Sequence, residues 1–269
     1  MDGIVNNASV YSIELAWGGK LPGMGDFVWS NGYTSLRTQL DNWLLTGMQQ
    51  FRSILSSSWE SSFDQAPMWN FIVPANMLGP GCVAGCISPS CDRIGRRFPF
   101  AVTYGLSANA PDWYLSEVMN AIPVLLTRTG ILLFNGIRRQ WPRETLATLI
   151  AQALINWEKE TLSPVVEQAE ASEQNSDSVI LNVLFEKNKY NSGQDNIFPG
   201  GSKSNDKQDI SAIYNSRFSS LPWSNVTTSL IAGSATSFWW TNGAGGAALK
   251  TFTYREHLDG TLMTWLFGR

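Results

Sequence analysis

A lysine in a glycine-rich segment is the first group of this sequence that could do chemistry. Residues 17–27 read Trp-Gly-Gly-Lys-Leu-Pro-Gly-Met-Gly-Asp-Phe. This composition excludes a helix interior or a regular strand and predicts a tight turn that exposes Lys20. Backbone N–H groups and a lysine ammonium can together hold a phosphate. The Walker A spacing requires Gly-Lys-Ser/Thr, however, and Leu21 stands where the hydroxyl should be. The segment therefore favours a rigid structural or recognition loop.

A second group of candidate side chains lies in a polar loop at residues 89–99, which has three arginines in five positions. Arginine makes bidentate contacts with carboxylates and phosphates. Arg93, Arg96 and Arg97 are therefore candidates for holding an acidic or phosphorylated partner. The same side chains can equally support the loop that carries Asp26, and the sequence leaves both interpretations open.

The sequence lacks the common catalytic constellations. His257 is the one histidine and no Gly-x-Ser-x-Gly motif occurs, which argues against a Ser-His-Asp triad. Asp26 and Asp92 are the remaining acid–base candidates, because both lie in irregular loops. Turn capping, or an ion pair with an arginine such as Arg93, is the preferred interpretation of such aspartates. We therefore predict a protein that is not an enzyme and uses no cofactor.

The three cysteines do not predict a metal site. Cys82, Cys86 and Cys91 lack the spacing of a zinc knuckle, and a single histidine does not complete a ligand set. Cys82 and Cys86 fall in a strand-like run, where buried free thiols are common. We expect all three to be reduced and structural.

Composition places the chain among soluble globular proteins. Hydrophobic residues make up 43% and charged residues 15%, with 12 tryptophans and 13 phenylalanines, so some aromatic side chains are expected at a partner-binding surface. A net charge of −3 without a basic stripe argues against nucleic-acid binding. The start of the chain does not resemble a signal peptide, and apolar runs such as 122–126 and 131–134 are too short to span a bilayer. A cytoplasmic protein that is not membrane-embedded is expected.

Hydrophobic periodicity predicts the elements that position these loops. The longest amphipathic helix covers about 35–58, with Thr34 or Ser35 as its cap. Further helices are predicted at 113–128, 143–162 and 257–266, and strands at 13–17, 68–73, 82–88, 100–106, 237–241 and 249–254. Strands near both ends with helices between them predict an α/β fold with a mixed β-sheet.

Two segments have a different composition. Residues 1–12 are predicted to be a loose leader. Residues 163–211 are rich in Ser, Asn, Gln, Gly and acidic side chains, with a stretch at about 188–208 that is predicted to be flexible. We interpret this region as a polar insertion within a single domain that comprises residues 1–269.

Trp239 and Trp240 are adjacent on one predicted strand. Successive side chains of a strand point to opposite faces, so one of the two is expected to enter the core. The other must be covered by a helix or by a partner.

Five sequence blocks occur in an order typical of a known family. They are Gly-Gly-Lys-Leu-Pro-Gly-Met-Gly-Asp-Phe-Val at 18–28, Leu-Asp-Asn-Trp-Leu at 40–44, Ala-Pro-Met-Trp-Asn-Phe at 66–71, Ser-Pro-Ser-Cys-Asp-Arg-Ile-Gly-Arg-Arg-Phe-Pro-Phe at 88–100 and Ser-Phe-Trp-Trp-Thr at 237–241. In these blocks the chain resembles the TagF (ImpM) family of bacterial type VI secretion accessory proteins. The resemblance is strong over about 13–106 and 229–255 and weak over 165–225.

The resemblance implies a three-layer α/β/α sandwich, cytoplasmic and without catalysis. The resemblance also implies a function, because members of this family act as post-translational repressors of type VI secretion by binding the forkhead-associated scaffold protein Fha. The residues that match the family's motifs are candidates for partner binding: Lys20, Pro22, Gly25, Asp26, Phe27, Asp92, Arg93, Arg96, Arg97, Trp239 and Trp240. Two alternatives remain: a phosphate- or nucleotide-binding sensor or enzyme that uses Lys20 and the three arginines, and a structural component of the secretion machine.

Overall fold

The structure is a computed structural model that describes residues 12–162, except Tyr33, and residues 220–268, except Glu256. The chain divides into two compact units, Met1–Leu154 with Arg217–Arg269, and Ile155–Ser216. The sheet and the loops discussed below belong to the first unit. The predicted leader, apart from Ser12, and the whole of the predicted polar insertion lie outside the described residues, so the single domain stays a prediction.

The described residues form seven strands and six α-helices. The strands are β1 (Ile13–Gly19), β2 (Val28–Trp29), β3 (Trp69–Val73), β4 (Val83–Ser88), β5 (Phe100–Leu106), β6 (Ser237–Thr241) and β7 (Thr251–Tyr254). The helices are α1 (Ser35–Leu55), α2 (Trp59–Gln65), α3 (Asp112–Arg138), α4 (Arg143–Thr161), α5 (Val226–Ile231) and α6 (Gly260–Phe267).

The strands form one sheet in the order β2-β1-β5-β4-β3-β6-β7, and every neighbouring pair is antiparallel. The α/β class is confirmed, but the expectation of a mixed sheet was wrong. The segments 74–82 and 89–99 join β3 to β4 and β4 to β5 without a helix. Parallel neighbours need a longer crossover connection, usually helical, so these connections produce antiparallel pairs.

Helices cover both faces of the sheet. On one face, the Phe71 ring of β3 meets Trp43 of α1 edge to face at 5.9 Å, and the Trp69 indole N–H donates to the Leu266 carbonyl of α6. On the other face, the Cys86 thiol of β4 donates to the Leu126 carbonyl of α3 at 3.4 Å. The three-layer arrangement is therefore confirmed.

Helix α1 follows from its sequence pattern. Thr34 caps the helix, since its hydroxyl oxygen accepts the Arg37 backbone N–H. The side chains at three- and four-residue steps are buried: Leu36, Leu40, Trp43, Leu44, Met48 and Phe51. The helix ends at Leu55, earlier than predicted, because Ser56 takes a positive φ of 48° and a 3₁₀ turn follows.

Helix α3 is longer than predicted. The expected end at Arg128 was wrong, since the helix continues through Pro123 to Arg138 and joins two apolar runs into one element. Burial of side chains such as Leu125 and Leu133 against the protein outweighs the hydrogen bond that a proline removes. Among the described helices, α3 alone is long and apolar enough to cross a membrane, but 56% of its apolar window is buried, as in the core helix of a soluble protein.

Helix α3 packs closely at Gly130 against Asn242, the residue that follows β6. A Cβ there would lie 2.2–2.3 Å from the Asn242 side chain, which is held by hydrogen bonds to Asn70 and Leu126. We expect Gly130→Ala to lower the free energy of unfolding by about 1–3 kcal/mol, because this clash outweighs the helix preference of alanine.

Urea unfolding measures this effect, and Gly136→Ala is the matched control on the same helix. A Cβ at Gly136 meets mainly the flexible end of Leu146, at 3.1 Å. We expect a change within about 1 kcal/mol there. Equal stabilities of the two variants would contradict the close approach at Gly130.

Candidate functional site

Two loops lie together at one end of the sheet, and we call them the paired loops: residues 20–27 between β1 and β2, and residues 89–99 between β4 and β5. They meet because β1 and β5 are neighbours in the sheet. The Arg93 backbone N–H donates to the Met24 carbonyl at 2.8 Å, and the Ser90 hydroxyl donates to the Lys20 carbonyl at 2.7 Å. Each loop thus supports the backbone of the other.

Lys20 is buried at the base of the paired loops. The prediction of an exposed lysine was wrong, because β1 continues past Trp17 to Gly19 and carries Lys20 into the protein. Its ammonium lies 3.0 Å from the Asp92 carboxylate and 4.9 Å from the centre of the Phe27 ring. The lysine charge is therefore matched from within the fold.

Asp92 is the centre of this contact network. One carboxylate oxygen accepts the backbone N–H groups of Ile94 and Arg96, at 3.2 and 2.9 Å. The other accepts the Arg96 Nε–H at 2.6 Å and the Lys20 ammonium. Burial alone would raise the pKa of Asp92, but the hydrogen bonds from Lys20 and Arg96 outweigh it and hold the pKa well below its usual range. Asp92 is thus a charged structural group and a poor candidate for proton transfer.

Two of the three arginines hold residues 89–99 in place, Arg96 against the other loop and Arg97 against α2. The Arg96 guanidinium also donates to the Gly25 carbonyl at 2.9 Å and so joins both loops. Arg97 makes a bidentate pair with Asp64, with two bonds of 2.7 Å, and a hydrogen bond to this carboxylate raises the pKa of Arg97. The interpretation that the arginines support the loop carrying Asp26 is therefore correct for Arg96, whereas Arg97 joins the second loop to α2.

Besides Arg96, which binds Asp92, four exposed side chains stand at the surface of the paired loops, and we call these four the exposed tip: Asp26, Phe27, Arg93 and Ile94. Ile94 is 71% exposed and Phe27 is 38% exposed. The Phe27 ring packs edge to face on Phe98 at 4.8 Å, which holds its position. Sequence reasoning missed Ile94, although an isoleucine inside an otherwise polar loop was a usable signal.

The two charged members of the exposed tip do not pair with each other. The Asp26 carboxylate accepts the Phe27 backbone N–H at 2.8 Å, which is the predicted turn-capping role. Within the described part of the chain, the Arg93 guanidinium contacts no carboxylate, so the suggested Asp26–Arg93 ion pair is not formed. The Arg93 guanidinium lies against the exposed Gly25 instead.

Pro22 is partly buried at the start of the turn. The Met24 backbone N–H donates to the Leu21 carbonyl at 2.9 Å and closes that turn. Pro22 and Gly25 therefore shape the loop backbone.

Both tryptophans of β6 are buried. Trp239 lies in the core, stacked on Phe71 at 4.9 Å. Trp240 faces the other side, where Trp223 covers it at a ring distance of 6.0 Å. The chain itself thus covers the second tryptophan, and neither presents its side chain at the surface as a binding group.

The cysteines are free thiols, as predicted. Burial raises the pKa of the Cys82 thiol to about 12, and burial also raises the pKa of Cys86, whose thiol donates to the Asn70 side chain. Within the described ranges, no three His, Cys, Asp or Glu side chains are grouped to hold a metal ion.

A cleft of about 410 Å³ adjoins the paired loops at the same end of the sheet. Its lining comes from the α2–β3 junction, the end of β4, the last turns of α3 and the loop after β6. Asp64 connects the two features, because it lines the cleft and binds Arg97.

These features define a three-layer α/β domain with one antiparallel sheet and an ion-paired double loop at one sheet end. Comparison with known proteins then identifies the family. The profile of the TagF N-terminal domain, described as type VI secretion system-associated, matches residues 16–153, just over half of the chain. The chain belongs to the TagF family, which confirms the resemblance seen in its motifs.

Among solved structures, the chain is similar to the crystal structure of PA0076 from Pseudomonas aeruginosa PAO1. The two are 22% identical over 95% of each chain, with a TM-score of 0.44. A search of curated proteins found no match.

Proposed function

We propose that this chain is a non-enzymatic, cytoplasmic accessory regulator that represses type VI secretion post-translationally by binding the forkhead-associated scaffold protein Fha. Membership of a type VI secretion-associated family supports the pathway. The observation that carries the binding function is the exposed tip, an apolar and charged surface on a rigid support.

The support lowers the cost of binding. Contacts of the buried Asp92 carboxylate with Lys20 and Arg96 hold the backbone on which the tip stands. A loop that is already ordered loses little conformational entropy when a partner docks. Ile94 and Arg93 then supply an accessible apolar group and a cation, and arginine is enriched among the residues that dominate binding energy.

The phosphate or nucleotide alternative is disfavoured by the contacts of its cations. Lys20 and Arg96 already share the Asp92 carboxylate, and Arg97 holds Asp64. A bound phosphate would have to displace buried or bidentate carboxylate contacts, which are costly to break. Of the cations invoked for this role, Arg93 alone lacks a carboxylate contact within the described residues.

The exposed tip can be tested by removing its two most accessible groups together. We expect Arg93→Ala with Ile94→Ala to weaken the binding of purified Fha at least about 10-fold, because an apolar contact and a charged contact are both lost. Isothermal titration calorimetry measures the affinity. Arg96 is left unchanged because its substitution would disturb the loop itself.

The matched control is Arg139→Ala with Ile54→Ala, which removes the same side-chain types from exposed positions outside the paired loops. We expect this control to bind within about 2-fold of the wild type. An unchanged affinity of the tip variant would remove the tip from the interface.

Failure of the wild-type protein to bind Fha would reject the proposed partner. Loss of repression on deletion of the chain should appear as increased type VI substrate in the medium.

A further inference from the structure

The cleft beside the paired loops has walls suited to an apolar chain. Pro67 and Pro89 line it from the α2–β3 junction and from the end of β4, and Phe134 and Ile137 line it from α3. The prolines offer no N–H groups, so these walls are poor in hydrogen-bond donors. A mainly apolar cleft of this volume is within the usual range of ligand sites.

The Asn242 side chain lines the cleft, and its hydrogen bonds are already made within the protein. The Asn242 amide donates to Asn70 at 2.7 Å and to the Leu126 carbonyl at 3.0 Å, and its oxygen accepts the Ala244 N–H. This side of the cleft is therefore rigid, and a ligand does not need to supply hydrogen bonds to it.

The charge of the cleft is set by Arg138. The other charged lining residue, Asp64, is engaged by Arg97 in a bidentate pair. The Arg138 guanidinium contacts the Phe134 ring at 5.9 Å, and within the described chain it meets no carboxylate. An apolar cleft with one uncompensated guanidinium is complementary to an apolar group that carries a carboxylate.

We infer that this cleft takes a short segment of the partner polypeptide, with apolar side chains against Pro67, Phe134 and Ile137 and a carboxylate paired with Arg138. The carboxylate comes from an acidic side chain or from a chain terminus. The cleft borders the loop that carries Arg93 and Ile94, because Pro89 belongs both to the paired loops and to the cleft wall. This inference rests on the proposed function, in which the partner is Fha.

Gly245 allows the cleft to be filled without disturbing the fold. A Cβ at Gly245 lies 3.7 Å from the Phe134 ring, an ordinary contact, whereas a Cβ at Gly243 in the same turn meets nothing within 4 Å. Neither glycine has a positive φ. Gly245→Leu therefore places a side chain in the cleft, and Gly243→Leu is its matched control.

Arg138→Glu tests the charge, and Arg139→Glu is the control with the same change in net charge on the neighbouring residue, which is also exposed but does not line the cleft. We expect Gly245→Leu and Arg138→Glu each to weaken the binding of purified Fha at least about 10-fold. We expect Gly243→Leu and Arg139→Glu to stay within about 2-fold of the wild type. Thermal unfolding verifies that all four variants are folded.

The outcomes separate this inference from the proposed function. Wild-type binding that Gly245→Leu and Arg138→Glu leave unchanged would overturn the cleft as a docking site and leave the proposed function intact. Equal losses in each variant and its control would also overturn it, because the loss would not depend on the cleft. No binding of Fha by the wild-type protein would overturn both.

Discussion

Replacing Asp92 with asparagine is expected to lower the free energy of unfolding by about 3–5 kcal/mol, the usual cost of removing one partner from a buried ion pair. In either orientation the amide NH2 would face N–H donors, because one carboxylate oxygen accepts two backbone N–H groups and the other accepts from Arg96 and from the Lys20 ammonium 3.0 Å away. Lys20 would then be a buried cation with one remaining aromatic neighbour, Phe27. Urea unfolding followed by tryptophan fluorescence measures the change.

Asp26→Asn is the control for this experiment, since Asp26 is an exposed carboxylate of the same paired loops. We expect a change within about 0.5 kcal/mol there. A variant of Asp92 as stable as the wild type would show that the Lys20–Asp92 contact adds nothing to the fold.

The effect of Asp92→Asn should depend on pH in a defined direction. The pKa of Asp92 is lowered in the folded protein, so its carboxylate stabilises the fold above the unfolded pKa of about 3.9. That contribution is lost as the pH falls through the lower folded pKa. The stability difference between wild type and Asp92→Asn should therefore be constant above about pH 5 and shrink below about pH 4.

Replacing Trp239 with alanine is expected to cost about 3–5 kcal/mol of unfolding free energy. The indole stacks on Phe71 at 4.9 Å and on Phe252 at 6.1 Å, and its N–H donates to the Ser237 hydroxyl at 2.9 Å. Truncation would leave a cavity between the sheet and α1, where Trp43 also contacts the ring. Urea unfolding measures the loss.

Trp265→Ala is the matched control, because this tryptophan is 39% exposed and packs on the outer side of Phe252 at 5.7 Å. Less apolar area leaves the solvent there on folding, so we expect less than half the cost. If the two variants were equally stable, Trp239 would not be the core residue that its contacts indicate.

The stability losses expected for Asp92→Asn and Trp239→Ala would also change the result of a binding experiment. Asp92 and Trp239 match family motifs, yet both are buried, so their substitution would reduce binding by weakening the fold. Arg93 and Ile94 are accessible and can be removed with little structural loss. Variants of the exposed tip and of the cleft therefore report on docking more directly than variants of the buried motif residues.

Local patterns were sufficient for most of the secondary structure and for the family. The predicted limits of β5 and β6 match the structure, and the buried stripe of α1 follows the predicted spacing. These elements follow from the period of their apolar residues, which is a property of neighbours in the chain. The ordered motifs likewise identified the TagF family before any contact was known.

The partners of the charged groups were decided by the tertiary structure. Sequence reasoning offered turn capping or an arginine partner for such loop aspartates, and it did not foresee that Asp92 holds Lys20, a residue that is 72 positions away in the chain. Only the pairing of β1 with β5 brings these two loops together. The length of α3 depended in the same way on burial, which outweighed Pro123.

The cleft is the clearest product of long-range packing, because its walls come from four separate parts of the chain. No local pattern distinguishes Arg138 from Arg139, and their different surroundings arise when α3 packs beside the loop after β6. The sequence motifs predicted which two loops carry the candidate binding residues. The sheet order decided which of their side chains are buried as support and which are exposed at the surface.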